Sequence, residues 1–256
     1  MATIPVIAYH KITNKIDFGI NAVKVHVFEK HLELLATHGY QPTTFQNIHR
    51  GEPVTEKSII IAFDDGYEEC YTYAAPRMME HNFPAVIFPL TNYLGKKNDW
   101  EPFFMQRKFH HLTKYQLIDL FKEGFEIGSH GKNHCHLPYL KEKIVRSEIY
   151  ESKLFLEELL GAEVITFCYP YGRYNQQIIK HVIEAGYQYA VGSPRLFSNH
   201  ASDYTITKQS IYATDTLSMV LKKIQQPKIY SWPVISQWLI QKGAFASIAL
   251  NYLKNY

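Results

Sequence analysis

Three short polar clusters, each directly after an apolar run, carry residue types suited to hydrolytic chemistry. The first is Asp64-Asp65-Gly66, which follows the Ile-rich run Ser58–Phe63. Two adjacent carboxylates repel each other unless something positive holds them, although Asp-Gly alone is also a common turn. The second runs from Gly128 to His134, with His130 and His134 four residues apart. Histidines at that spacing can face one point from a helical turn or a tight loop. The third is Tyr169-Pro170-Tyr171-Gly172. Its Pro-x-Gly turn fixes the backbone and can aim a peptide N–H into a cavity, or serve as an ordinary tight connection. One carboxylate and two imidazoles form a three-ligand set for a divalent ion such as zinc, with a position left for water. An ion so held lowers the water's pKa to about 7 and polarises a carbonyl. The second carboxylate would then act as general base.

This chemistry requires elements that bring the clusters together. Short apolar runs alternate with amphipathic stretches along the chain. Strands are predicted at 5–9, 58–63, 85–88, 125–128, 166–169 and 189–192. Helices are predicted at 27–38, 68–81, 113–123, 141–160 and 176–185, several of them stopped by a glycine such as Gly39, Gly124, Gly161 or Gly186. The first helix is carried by Phe28, Leu32 and Leu35, the longest by Val145, Ile149, Leu156 and Leu160. Residues 91–112 have no clean period and read as a long functional loop. Strands alternating with helices imply parallel pairing, and 256 residues without a composition break suit a single α/β barrel. All strand C-termini of such a barrel open on one face, where the three clusters would converge.

Composition narrows the function classes. The formal charge of +3 is small and dispersed, with no Lys/Arg run, so a nucleic-acid partner is not expected. The three cysteines, Cys70, Cys135 and Cys168, are widely spaced and form no CxxC, which argues against a disulfide framework or zinc ribbon. They favour a reducing compartment. The N-terminus has no basic region and no extended apolar segment of the secretory kind, so the expected location is cytoplasmic, or the inner membrane face. The 19 tyrosines, 15 phenylalanines and 13 histidines suit a carbohydrate-sized pocket, although most such residues must be ordinary core or surface. The expected organisation is one barrel domain, residues 1–228, followed by an aromatic, helical extension, residues 229–256. That extension carries Tyr230, Trp232, Trp238, Phe245 and Tyr252, but Lys242 and other polar residues interrupt it. It is too polar to span a membrane. Three fates are open to it: capping the barrel, forming a dimer, or lying on a membrane surface.

In order and spacing, Asp64-Asp65-Gly66, the pair His130 and His134, and Tyr169-Pro170-Tyr171-Gly172 resemble the signature motifs of the NodB-like polysaccharide deacetylases, carbohydrate esterase family 4. Ile7-Ala8-Tyr9-His10, Glu126-Ile127-Gly128-Ser129-His130 and Glu184-Ala185-Gly186-Tyr187 agree with it, so the resemblance covers roughly residues 4–195. It implies a distorted (β/α)7 barrel and metal-dependent removal of an acetyl group from an N-acetylated amino sugar. The metal would be zinc, with cobalt, nickel or iron also compatible with two nitrogens and one oxygen. Asp64 is implied as the base, and Asp65, His130 and His134 as the metal ligands. Pro170 and Tyr171 would meet the substrate, the Tyr171 N–H stabilising the oxyanion.

Two departures stand out. Many members carry an arginine two residues before the third motif's proline, steadying the base; here that position is Cys168. Arg173 is nearby but reads better as a surface residue. Many members also protonate the leaving amine with a late histidine, and none follows His200 here. His10, at the end of the first strand, is the candidate replacement; a rim histidine held by hydrogen bonds is the rival reading. His136 is expected to turn away from the ion and Cys135 to pack. Two other functions stay open: an amide or ureide hydrolase of the same fold, and a sugar-binding module without turnover.

Overall fold

The computed structural model describes residues 4–15, 17, 19–99, 108–194 and 202–225. The predicted extension, residues 229–256, lies outside the described residues. The strands are β1 (Val6–Tyr9), β2 (Lys11–Ile12), β3 (Ala22–Val23), β4 (Gln41–Thr43), β5 (Ser58–Phe63), β6 (Val86–Ile87), β7 (Glu126–Ile127), β8 (Thr166–Cys168), β9 (Tyr189–Gly192) and β10 (Ile206–Ser210). The helices are α1 (Val25–Thr37), α2 (Phe45–His49), α3 (Ala75–Glu80), α4 (Lys114–Lys122), α5 (Glu142–Arg146), α6 (Ser152–Leu160), α7 (Gln176–Glu184) and α8 (Leu217–Ile224).

Seven strands form the wall in the order β7-β6-β5-β1-β10-β9-β8, every ladder parallel. A parallel bridge between Ser129, just past β7, and Phe167 of β8 joins the two ends. The wall is therefore a nearly closed, distorted (β/α)7 barrel. β4 pairs with the first half of β5, β6 with its last two residues, and β2 and β3 form a separate small sheet.

The alternation of side chains along the strands sets both the core and the site. Val6, Ala8, Ile60, Ala62, Val86, Cys168 and Val191 fill the barrel together with Phe45 of α2. Ile7, Tyr9, Ile59, Ile61 and Phe63 face outward and are covered by helix residues such as Phe28, Leu32 and Leu35 of α1. Side chains two apart on a strand share a face. Continuing the inward series 60, 62 places Asp64 inside at the C-terminal mouth, and 6, 8 does the same for His10.

Several elements differ from the sequence expectation. β4, α2, the small sheet, β10 and α8 were not predicted. The two longest helices are not uniform either: a wide turn, Cys70–Ala74, precedes α3, and another, Ser147–Glu151, joins α5 to α6. Each shifts the buried face in a way a strict 3.6-residue period does not describe. The described part of 91–112 holds a short 3-10 turn, Thr91–Tyr93, and antiparallel bridges Lys97 to His110 and Tyr67 to His111.

Between the wall and its helices lies a buried polar group. His31 of α1 meets the Tyr9 hydroxyl at 3.0 Å, and the Lys223 ammonium of α8 meets Asp215 at 2.5 Å and the Ser210 carbonyl at 2.7 Å. Burial holds the His31 imidazole down at about 4, assisted by Lys223 and opposed by Asp215. An unfolded histidine titrates near 6.5. The neutral ring's contribution to stability is therefore complete above about pH 6.5 and is lost as pH falls toward 4, a difference of roughly 3 kcal/mol. His31→Gln is expected to lose less Tm than the native chain between pH 7 and 4.5, as followed by circular dichroism.

Candidate active site

Asp64, Asp65 and Gly66 leave the end of β5. Asp65 and Gly66 are both left-handed, with φ of 66° and 65°. A Cβ on Gly66 would come within 2.8 Å of the Pro89 backbone, so the turn needs glycine for its conformation and for its packing. The turn separates the two carboxylates. Asp64 Oδ2 accepts from the Lys208 ammonium at 2.5 Å and lies 3.7 Å from His10 Nε2. Its Oδ1 accepts a long contact from the Cys168 thiol, 3.6 Å. Asp65 instead faces His130 and His134.

His130 follows β7 and is buried; its Nδ1 lies 2.7 Å from the Cys168 carbonyl. A carbonyl only accepts, so Nδ1 carries a proton in that bond and Nε2 is the atom turned to the carboxylate. His130 Nε2 lies 3.3 Å from Asp65 Oδ1, and His134 Nε2 lies 3.4 Å from the same oxygen. Asp65 Oδ1 is buried, and the two imidazoles approach it at ion-pair distance without completing a well-aligned hydrogen bond. One ligand atom from each of the three residues falls within 4.8 Å of the others. Tetrahedral zinc at about 2.0–2.1 Å from its ligands separates neighbouring ligand atoms by about 3.3 Å. The two His–Asp spacings therefore fit such an ion.

The electrostatics agree with this partition. Burial pushes both aspartates up, but their cationic neighbours prevail. Lys208, then His10 and His130, hold Asp64 below the usual carboxylate range; His134, His130 and His10 hold Asp65 well below it. For His130, burial works against the charged ring but is outweighed by Cys168 and the two carboxylates, which push it up to about 10. His134 is pushed down to about 3, chiefly by burial, with His130 and His10 adding to it. The two imidazoles thus differ sharply in their hold on a proton.

The third cluster closes the same mouth. Tyr171 is left-handed (φ 56°, ψ 11°) within the short turn Pro170–Gly172. Its ring lies 4.3 Å from that of His134 and stacks at 4.5 Å and 10° on His136. His136 thus buttresses the Tyr171 turn and is not among the three clustered ligands. Cys135 points its sulfur toward Glu148 Oε1, 3.8 Å away.

All the residues singled out by sequence, namely His10, Asp64, Asp65, His130, His134, Pro170 and Tyr171, lie around this mouth. The residue that sequence reasoning missed is Lys208 on β10. Its side chain also reaches Cys168 Sγ at 2.7 Å, so it stands beside the position where the arginine was expected. The signal available was a count: a seven-stranded barrel needs one strand more than the six predicted.

The sequence matches the polysaccharide deacetylase family over residues 51–190, more than half of the chain. The chain belongs to the polysaccharide deacetylase family. It is 30% identical over 196 residues to Bacillus subtilis YxkH, itself named for this family, covering 74% of this chain and 64% of that protein. It is 31% identical over 151 residues to a Bacillus cereus peptidoglycan-N-acetylglucosamine deacetylase, covering 57% and 63%. The chain thus spans somewhat under two thirds of either relative. Among solved structures, the Streptococcus pyogenes deacetylase PplD in complex with acetate shares the fold, with a TM-score of 0.72 at 19% identity, covering 86% of this chain and 97% of that one. Among the described residues of this family member, no helix is long and apolar enough to cross a membrane.

Proposed function

We propose that this polysaccharide deacetylase family member hydrolyses the acetamide of an N-acetylated amino sugar within a glycan, releasing acetate and a free amine. The observation that carries the reading is the buried Asp65 Oδ1 held 3.3 and 3.4 Å from two imidazole nitrogens, next to a second carboxylate with its own cation. Asp65, His130 and His134 would hold a divalent ion, zinc being the best match to two nitrogens and one oxygen. When bound, the ion supplies an acidified water and a Lewis acid for the acetamide carbonyl.

The protein's own groups then divide the work. Asp64, ionised by virtue of Lys208, takes the proton of the attacking water. Tyr171 offers its peptide N–H to the oxyanion that develops as the carbonyl carbon becomes tetrahedral, and Pro170 holds the turn that presents it. His10, 3.7 Å from Asp64, returns a proton to the departing amine nitrogen as the C–N bond breaks. The name of the Bacillus cereus relative supports a glycan containing N-acetylglucosamine as the substrate class.

The test is a panel of N-acetylglucosamine oligomers, β-1,4- and β-1,6-linked and of several lengths, offered to zinc-loaded protein. Acetate and free amine are expected in equal amounts from at least one series. Absence of both from every oligomer, with zinc shown to be bound, would overturn the reading.

A further inference from the structure

The helical stretch 142–160 is interrupted where it passes the metal-ligand loop. Its wide turn, Ser147–Glu151, joins α5 to α6, and Glu148 within it is 2% exposed. Among the described residues, the hydrogen bonds to that side chain come from the ligand loop, Lys132 and Asn133 before His134 and Cys135 after it. Oε2 accepts from the backbone N–H of Lys132 at 2.8 Å and of Asn133 at 2.9 Å. Oε1 accepts from the Asn133 side-chain amide at 2.5 Å and from the Cys135 thiol at 3.8 Å. The same helical turn holds the loop at its start. The Ser129 hydroxyl donates to Ser152 Oγ at 2.8 Å, and Ser152 donates to the Glu148 carbonyl at 2.6 Å.

The loop needs such a hold because its backbone is unfavourable. Gly131 has φ of 81°, and His134, which is not glycine, has φ of 53°. A non-glycine residue persists in that region only where its surroundings impose it. Glu148 collects the N–H groups immediately before His134 and so fixes the path that turns its imidazole toward Asp65. A Cβ on Gly131 would come within 3.1 Å of Glu148 Oε2, which marks how closely the loop is drawn onto the carboxylate.

We propose that Glu148 is a positioning residue for the metal: it pre-sets the loop between His130 and His134 so that the two imidazoles converge on Asp65 before the ion arrives. The inference rests on the metal-site reading above. Groups that orient ligands without touching the ion typically change metal affinity by about 10- to 100-fold when replaced. Glu148→Gln keeps the size and one acceptor oxygen for the two backbone N–H groups, but turns an amide donor toward the Asn133 amide. Glu148→Ala removes both acceptors.

The experiment is zinc affinity by competition with a chromogenic chelator, for the native chain, Glu148→Gln, Glu148→Ala and Asp65→Asn. Tm of each metal-free protein is recorded in parallel. Zinc binding is expected to weaken about 10-fold in Glu148→Gln, with metal-free Tm within a few degrees of native, and further in Glu148→Ala. Saturating zinc should restore most of the kcat of Glu148→Gln, as a positioning role requires. Unchanged zinc affinity in Glu148→Gln, with or without a fall in Tm, overturns the proposal and leaves Glu148 a fold-holding residue. Native affinity in Asp65→Asn would instead overturn the metal site itself, so the two failures are distinguishable. If Glu148→Ala does not fold, Glu148→Gln alone decides.

Discussion

Asp64→Asn is expected to lower kcat for acetate release by about 10²- to 10⁴-fold, the usual contribution of a positioned general base, while zinc stays bound. The substitution preserves size and leaves an oxygen able to accept from Lys208, but removes the site that takes up a proton. Asp64 and Asp65 are adjacent in sequence and yet face different partners. Asp65 Oδ1 is the oxygen near both imidazoles, whereas Asp64 Oδ2 faces Lys208 and His10. Metal content and activity should therefore separate in this variant. Loss of zinc in parallel with loss of activity would make Asp64 a ligand and contradict the division of labour.

Lys208→Met is expected to act on both stability and pH dependence. Both members of the Lys208–Asp64 pair are almost wholly buried, 4% and 3% exposed at the side chain. Removing one partner of a buried pair typically costs about 3–5 kcal/mol, because the other charge is left without compensation. Here the cost is relieved in part by protonation of Asp64, whose low pKa rests first on Lys208. Without that cation, burial is left opposed by the weaker pull of His10 and His130. The sign follows directly: a base works only when deprotonated, so activity is lost as pH falls through its pKa. Raising that pKa moves the acid limb of the pH–kcat profile toward neutral. Lys208→Met should consequently show a lower Tm, reduced kcat at neutral pH, and recovery of rate as pH rises. An acid limb in the native position would show that Lys208 does not set the state of Asp64.

The legible part of the sequence is instructive. β5 is a run of buried apolar residues bounded by polar turns, so its limits and the placement of Asp64 just beyond it could be read without coordinates. The His130–His134 spacing and the Pro170–Gly172 turn were visible because unusual residue types sit at strand ends. Lys208 was hidden for the opposite reason. β10 reads Ile-Thr-Lys-Gln-Ser, with Lys208, Gln209 and Ser210 buried although polar; Lys208 is there to face Asp64 at the barrel mouth. Hydrophobic periodicity fails for such a strand. The pairing of Lys208 with Asp64 also spans 144 residues, which no local spacing rule can reach. Glu148 was missed in a related way. The apolar stripe of residues 141–160 is real, but Glu148 lies at its edge, three residues after Val145, where a carboxylate reads as a solvated flank and its burial depends on the loop packed against it.

The departures from the usual family pattern acquire a physical explanation. Cys168 stands where an arginine was expected, and a lysine from a different strand reaches the same carboxylate. A cation thus stands beside Asp64, supplied by β10. For the amine-protonating histidine, the replacement the described residues offer is His10, whose Nε2 is 3.7 Å from Asp64.

Catalysis is expected to depend on an ion held by Asp65, His130 and His134. The most direct measurement is acetate release from an N-acetylglucosamine oligomer by native protein and Asp65→Asn, after chelation and again after zinc is restored. Chelation should abolish release by the native chain and zinc should restore it, whereas Asp65→Asn should remain inactive at zinc concentrations that saturate the native site. Undiminished release from native protein shown to be metal-free would contradict that dependence.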